Sequence, residues 1–322
     1  MLDQIPLNEL ARGDGVDHFL LVRKCELKTG RTNKNYLNLE LGDSTASLSA
    51  NIWDNIDYVS TFLTVGTVVK VEGAIDEYQG QPQIRISQIR KLKLNEDVST
   101  DDFLPKSKRN IKEMEKQLWN RIEIIENTFL KQLLKILLNG ENYVKFIRAP
   151  AGKSWHHSYI HGLLEHTLEI VEICDLTSNF HPETDRDLLI TGAILHDFGK
   201  IRELIFESTF DYSDEGRLLG HIVIASLEIN EKINDIKNFP EGLKYQLLHL
   251  ILSHQGKLEQ ASPVEPKTLE AIILYQADEI SAKANAYKSA IEADAKGDTR
   301  WTKFLHLINS PLYIPEEFNK QK

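Results

Sequence analysis

The sequence predicts a multidomain chain of two fold classes, an N-terminal all-β barrel followed by an all-α domain. Three observations carry this. Between residues 17 and 94, apolar and polar residues alternate at period two, as in Tyr36-Leu-Asn-Leu-Glu-Leu41 and Gln83-Ile-Arg-Ile-Ser-Gln-Ile89, which is the pattern of half-buried strands. From Ile111 the spacing changes to the helical period, in Ile122, Ile125, Phe129, Leu133, Ile136 and Leu137. Between them NEDVSTDDFLPKSKRN, residues 95–110, holds no sustained apolar period and reads as a linker. The expected boundaries are 1–95 for the barrel, 96–110 for the linker and 111–322 for the helical domain.

In the first region His18 to Val22 opens one strand, and Gly42-Asp43 turns the second strand into the third. Residues 54–65 read as a short helix. The β-branched run Thr67 to Glu72 is a fourth strand, and Gln79 to Pro82 turns the chain into a fifth. Five strands with a helix after the third resemble the OB-fold, and that resemblance implies binding of single-stranded nucleic acid. Phe19, Tyr36, Trp53 and Tyr78 are candidates for stacking on bases. Tyr36 and Tyr78 are favoured because tyrosine keeps a polar end in water. The plain alternative for each is barrel core. Arg85 opens a basic stretch that runs to Lys116. It reads either as a solvated linker and helix face or as a strip that steers phosphate.

The bulk numbers narrow the class. A composition of 41% hydrophobic and 27% charged residues is that of a soluble globular protein. The first residues lack a basic start followed by an apolar run, and no stretch has the length and apolarity of a membrane span. Two cysteines, Cys25 and Cys174, read as reduced thiols, so a cytoplasmic protein is expected. A net charge of −10 argues against a general nucleic-acid binder, but the barrel region is nearly neutral and the acid lies downstream. An acidic downstream region is what a cation-collecting site produces.

Of 11 histidines only His18 lies in the barrel region. Several of the others interrupt apolar helical runs. His166 sits in Gly162-Leu-Leu-Glu-His-Thr-Leu, and His196-Asp197 closes Ala193-Ile-Leu. His221 follows Leu218-Leu-Gly, His254 ends the run from Leu247, and Asp278 breaks Ala271 to Ala277. A lone histidine on an apolar face is usually a satisfied core residue. Six such groups in one domain each need a partner, because a buried unpaired carboxylate is costly. One divalent cation or a pair satisfies all six. Imidazole mixed with carboxylate suits manganese, cobalt, iron or zinc better than calcium or magnesium.

His166, His196-Asp197 and Asp278 resemble the H…HD…D signature of the HD-domain metal-dependent phosphohydrolases, and His196-Asp-Phe-Gly-Lys200 resembles its HDxGK core. An OB-fold ahead of such a domain, with Trp155-His-His157, looks like the YhaM-type bacterial 3′-to-5′ exoribonucleases over nearly the whole chain. The resemblance implies that His166, His196, Asp197 and Asp278 bind one metal, foremost Mn2+. Asp197 then bridges to a second, completed by His221 and His254. Asp197, Lys200 and His157 become the catalytic candidates, with Lys200 on phosphate and His156 or His157 near the leaving oxygen. Lys153 is a further phosphate candidate. Two positions depart from the family: Gln255 follows His254 where a second histidine is common, and His161 stands where glycine is expected. The expected partner is single-stranded RNA, with single-stranded DNA second and no membrane; a homo-oligomer is open. The alternatives are an HD nucleotide or cyclic-nucleotide phosphohydrolase and a non-catalytic single-stranded DNA-binding replication accessory protein.

Overall fold

A computed structural model describes residues 4–30, 33–295, 299–306 and 308–316. The chain divides into two compact units, residues 1–106 with 205–211, and residues 107–204 with 212–322.

The first unit is a closed five-stranded barrel. Its strands are β1 (Gly15–Thr29), β2 (Asn35–Gly42), β3 (Ser47–Ile52), β4 (Val68–Tyr78) and β5 (Gln81–Lys91), with helix α1 (Ile56–Ser60) between β3 and β4. The strands close in the order β1-β2-β3-β5-β4, with β4 returning to β1. All pairings are antiparallel except β3 with β5. Alternation decides what is inside: Leu37, Leu39 and Leu41 of β2 and Ala50 and Ile52 of β3 are buried. Their neighbours Tyr36, Asn38 and Asn51 therefore share the outer face. Gln79 and Gly80 both take positive φ, 52° and 77°, which is the demand of a tight hairpin turn matching strand twist.

The segment expected as a linker is partly structured. Its only buried apolar residues, Phe103 and Leu104, are adjacent, so they leave no period to read. Ser99 caps a single 3-10 turn, Thr100–Phe103, in a reciprocal capping box. Phe103 is fully buried in the barrel unit, and Arg23 Nη2 donates to its carbonyl at 3.1 Å. Arg90 clasps Glu96 through two hydrogen bonds of 3.0 and 2.7 Å.

The second unit is helical: α2 (Ile111–Glu123), α3 (Thr128–Leu137), α4 (Gly140–Arg148), α5 (Gly162–Phe180), α6 (Arg186–Leu195), α7 (Lys200–Glu203), α8 (Asp214–Asn234), α9 (Glu241–Ser253) and α10 (Leu269–Asp294). The run from Ile111 to Leu138 is two helices, because Asn127 caps a new one by accepting from the amides of Phe129 and Leu130. Asn110 and Asp185 cap α2 and α6 in the same way. Residues 188–195 of α6 are all buried, so this helix is the centre of the unit. No described helix is long and apolar enough to cross a membrane.

Replacing Phe103 by alanine removes a fully buried ring from the barrel unit. We expect a loss of about 3–5 kcal/mol in that unit's stability, read by denaturant unfolding. A loss under about 1 kcal/mol would mean the segment is a passive connector.

Candidate metal centre

The site is built from helix ends meeting around the buried helix α6. His166 and Asp278 project from within α5 and α10, whereas His196 and His254 are the C-terminal caps of α6 and α9. After His196 the chain makes a tight turn through Asp197, Phe198 and Gly199 into α7. A β-carbon on Gly199 would lie 2.1 Å from the carbonyl oxygen of His221, so only glycine lets this turn approach α8. His221 owes its place to a break in α8. Gly220 takes φ 72° and ψ 154°, a region open to glycine almost alone. The chain then restarts as helix, leaving the His221 amide to be bound by Glu203 Oε1 at 2.9 Å.

These elements bring all six expected ligands together. Asp197 is the hub, and its two oxygens face different partners. Oδ2 lies 3.3 Å from His196 Nε2, 3.6 Å from His166 Nε2 and 2.6 Å from Lys200 Nζ. Oδ1 lies 3.3 Å from His221 Nε2 and 3.7 Å from His254 Nε2. Asp278 Oδ1 stands 3.1 Å from His166 Nε2. His166, His196 and His254 are fully buried and Asp197 nearly so, whereas Asp278 is partly open to solvent.

Each imidazole is fixed by its other nitrogen. His196 Nδ1 bonds the Ala193 carbonyl at 2.8 Å and His254 Nδ1 the Ile251 carbonyl at 2.7 Å. His221 Nδ1 is 3.0 Å from Glu203 Oε1. His166 Nδ1 meets Ser281 Oγ at 2.9 Å, and that hydroxyl donates to Glu169 Oε2 at 2.6 Å. Acceptors at Nδ1 select the tautomer whose bare Nε2 points at the centre. The buried Nε2 atoms of His166, His196 and His254 have no hydrogen-bond partner of their own. Burial and the neighbouring His196 hold His166 well below the ordinary histidine range and lower His254 to about 4, so both are neutral at pH 7. Burial alone would raise the Asp197 carboxyl, but Lys200 and His196 outweigh it and hold it well below the carboxylate range.

The residues fit a divalent cation. Bare, buried imidazole nitrogens beside a carboxylate are ligands lacking an ion. Donors on one ion at about 2.0–2.2 Å from it lie roughly 3–3.6 Å apart, and the spacings above cluster there. Among the described residues the donors fall in three groups, His166 with His196 and Asp197, Asp197 with His221 and His254, and His156 with His157 and His166, the atoms of each within 4.8 Å of one another.

A cavity of about 220 Å3 opens onto these groups, lined by Trp155, His156, Asp197, Lys200, His254, Gln255, Gln260, Asp278 and Glu279 among others. Lys200 is buried, with Nζ 2.5 Å from the Ala151 carbonyl. Burial pulls its ammonium down, but Asp197 more than offsets this and raises it above the lysine range. His156 lines the cavity and His157 does not. A positive φ of 42° turns the His157 ring inward, where Nε2 is 3.3 Å from Glu169 and Nδ1 is 3.4 Å from His156 Nδ1. Lys153 is exposed, with Nζ 5.8 Å from the Tyr212 ring centre, and is absent from the lining. His161 sits at φ 70° ahead of α5 with Nδ1 on the Ile147 carbonyl, which explains the expectation of glycine there. Gln255 lines the cavity, its Nε2 3.4 Å from His221 Nε2. The sequence reading missed Glu203, Ser281 and Glu169. Their one signal was spacing: Glu169 falls three residues after His166 and Ser281 three after Asp278, each on its ligand's helix face.

On the barrel, Tyr36 and Trp53 stack with ring centres 4.3 Å apart and planes 20° from parallel. Beside them Asn38 donates to Asn51 at 3.0 Å. Trp53 and Tyr78 are 44% and 63% exposed, and Arg85 is exposed. Phe19 differs: Lys70 Nζ lies over its ring, 4.4 Å from the centre.

Comparison with known proteins agrees with both units. A family model described as an HD domain matches residues 163–283, and one described as an OB-fold nucleic acid binding domain matches residues 21–92. Two solved structures align with the chain, a domain of replication protein A from Methanococcus maripaludis and the second OB-fold domain of that protein. The first is 20% identical with a TM-score of 0.24, over 28% of this chain and 94% of its own. The second is 14% identical with a TM-score of 0.23, over 30% and 98%. The 3′-5′ exoribonuclease YhaM of Bacillus subtilis (strain 168) is 31% identical over 320 residues, 99% of this chain and all of that protein. With this likeness end to end, the chain belongs to the YhaM family of OB-fold and HD-domain proteins.

Proposed function

We propose that this protein is a metal-dependent 3′-to-5′ exoribonuclease that hydrolyses phosphodiester bonds of single-stranded RNA. The observation that carries the reading is the convergence of His166, His196, Asp197, His221, His254 and Asp278 with bare Nε2 atoms turned to one centre. Likeness to YhaM over the full chain supplies the reaction class and polarity.

His166, His196, Asp197 Oδ2 and Asp278 would hold one ion, and Asp197 Oδ1, His221 and His254 a second. Manganese suits this donor set. Bound there, such ions supply Lewis acidity, acidifying water toward neutral pH and offsetting charge that grows on a phosphate. The chain's own residues do the rest. Asp197 serves both positions because its oxygens face different histidines. Lys200 stays protonated beside it and presents a fixed cation to a phosphate oxygen in the cavity. His156, lowered well below the histidine range by burial and by His166 and Lys200, meets the substrate as a neutral imidazole. His157 backs it and does not touch the substrate. Glu203 and the Ser281–Glu169 pair orient His221 and His166.

The Tyr36–Trp53 stack, Tyr78 and Arg85 grip the strand through base faces and phosphate. Neither contact depends on base identity. The barrel thus binds and the helical unit cuts.

End-labelled single-stranded RNA incubated with a panel of divalent metals should yield a ladder shortening from the 3′ end, fastest in Mn2+. An intact substrate in every metal rejects the reading. Asp197→Ala should lose turnover and bound metal together while still binding RNA; retained turnover would remove the site assignment. Glu203→Gln should weaken affinity for one ion by about 10–100-fold in calorimetric titration, with the other ion little changed. Trp53→Ala should slow degradation of a long strand about five- to 150-fold and leave a dinucleotide unaffected. Equal losses on both would refute the division between the units.

A further inference from the structure

Trp155 has no part in the scheme above, yet it is built into the mouth of the metal cavity. It is the one phenyl, phenol or indole side chain in the lining and is 42% exposed. A large aromatic face turned to water beside a catalytic cavity is costly apolar surface. Its seat is held from several sides. Ser158 Oγ donates to the Lys153 carbonyl at 2.7 Å, and the Ala151 amide donates to the His157 carbonyl at 3.1 Å. Lys200 Nζ holds the Ala151 carbonyl. The His156 ring lies 5.0 Å away, its plane at 84° to the indole. The loop that carries the ring is therefore tied on both sides of it, with polar Gln255 and Gln260 elsewhere in the lining.

The cavity, at about 220 Å3, is smaller than the roughly 300–1,000 Å3 that takes in a drug-sized ligand. It suits the end of a chain better than its middle. With the last phosphodiester against Asp197 and Lys200, the base beyond it has lost its stacking neighbour on one side. We propose that Trp155 is the platform on which the base of the 3′-terminal nucleotide stacks, a base subsite one residue beyond the bond that is cut. This rests on the exonuclease reading. Stacking ignores base identity because every base has a π-face, so the subsite accepts any terminal residue. It also selects single strands, because a paired terminal base is already stacked and tied to its complement.

The test uses two single-stranded oligoribonucleotides that differ only at the 3′ end, one carrying adenine and one an abasic residue. The readout is kcat/KM for release of the terminal residue in Mn2+. The wild type should prefer the adenine end by about five- to 150-fold. Trp155→Ala should bring that preference below about twofold, and Trp155→Phe should restore most of it. A Trp155→Ala protein that keeps the wild-type preference overturns the platform, as does a wild type that degrades both ends equally well. A wild type that releases nothing from either end overturns the exonuclease reading as well, which separates the two failures.

Discussion

The helical unit is organised around one buried carboxylate. Asp197 is 2% exposed and sits where an isolated negative charge is very expensive. Every element near it answers that cost. Lys200 returns from the next turn to meet Oδ2, and four histidines from α5, α6, α8 and α9 aim Nε2 at its two oxygens. The histidines in turn need a fixed tautomer, which their Nδ1 partners provide, and burial lowers His166 and His254. One charge thus explains why polar residues break so many apolar helices in this chain.

Much of this was legible in the sequence. The barrel could be read because Leu37, Leu39 and Leu41 alternate with Tyr36, Asn38 and Glu40, so period alone separates inside from outside. The six candidate ligands stood out because each interrupts an apolar run, where a polar side chain has to be explained. The supporting groups escaped for the opposite reason. Glu169 and Ser281 are marked only by falling three residues after His166 and Asp278, and Glu203 by nothing in its local pattern. The fold alone brings Ser281 of α10 to His166 of α5. The structure within 95–110 left no trace because Phe103 and Leu104 are too few to make a period, although both are buried. His156 and His157 could not be told apart either. His156 lines the cavity while His157, at a φ of 42°, lies behind it, a difference with no trace in residue type.

The two units use aromatic groups differently. In the barrel Tyr36 of β2 and Trp53, just past the end of β3, lie nearly parallel. In the helical unit imidazole rings run in sequence from His157 through His166, His196 and His254 to His221, with neighbouring centres 5.1 to 5.6 Å apart. The first arrangement offers π-faces, the second lone pairs. Neither arrangement carries the edge pattern that would read a base sequence.

The break at Gly220 carries a consequence for how this protein tolerates change. Because the helix restarts there, His221 takes its position from Glu203 and from the close passage of Gly199. Leu218 and Leu219, just upstream, are 82% and 47% exposed. Substitutions among those outward leucines therefore fall on a stretch mechanically insulated from the ligand, while one added methyl at Gly199 would act on it directly. Outward Leu219 and inward His221 are divided by the single residue Gly220.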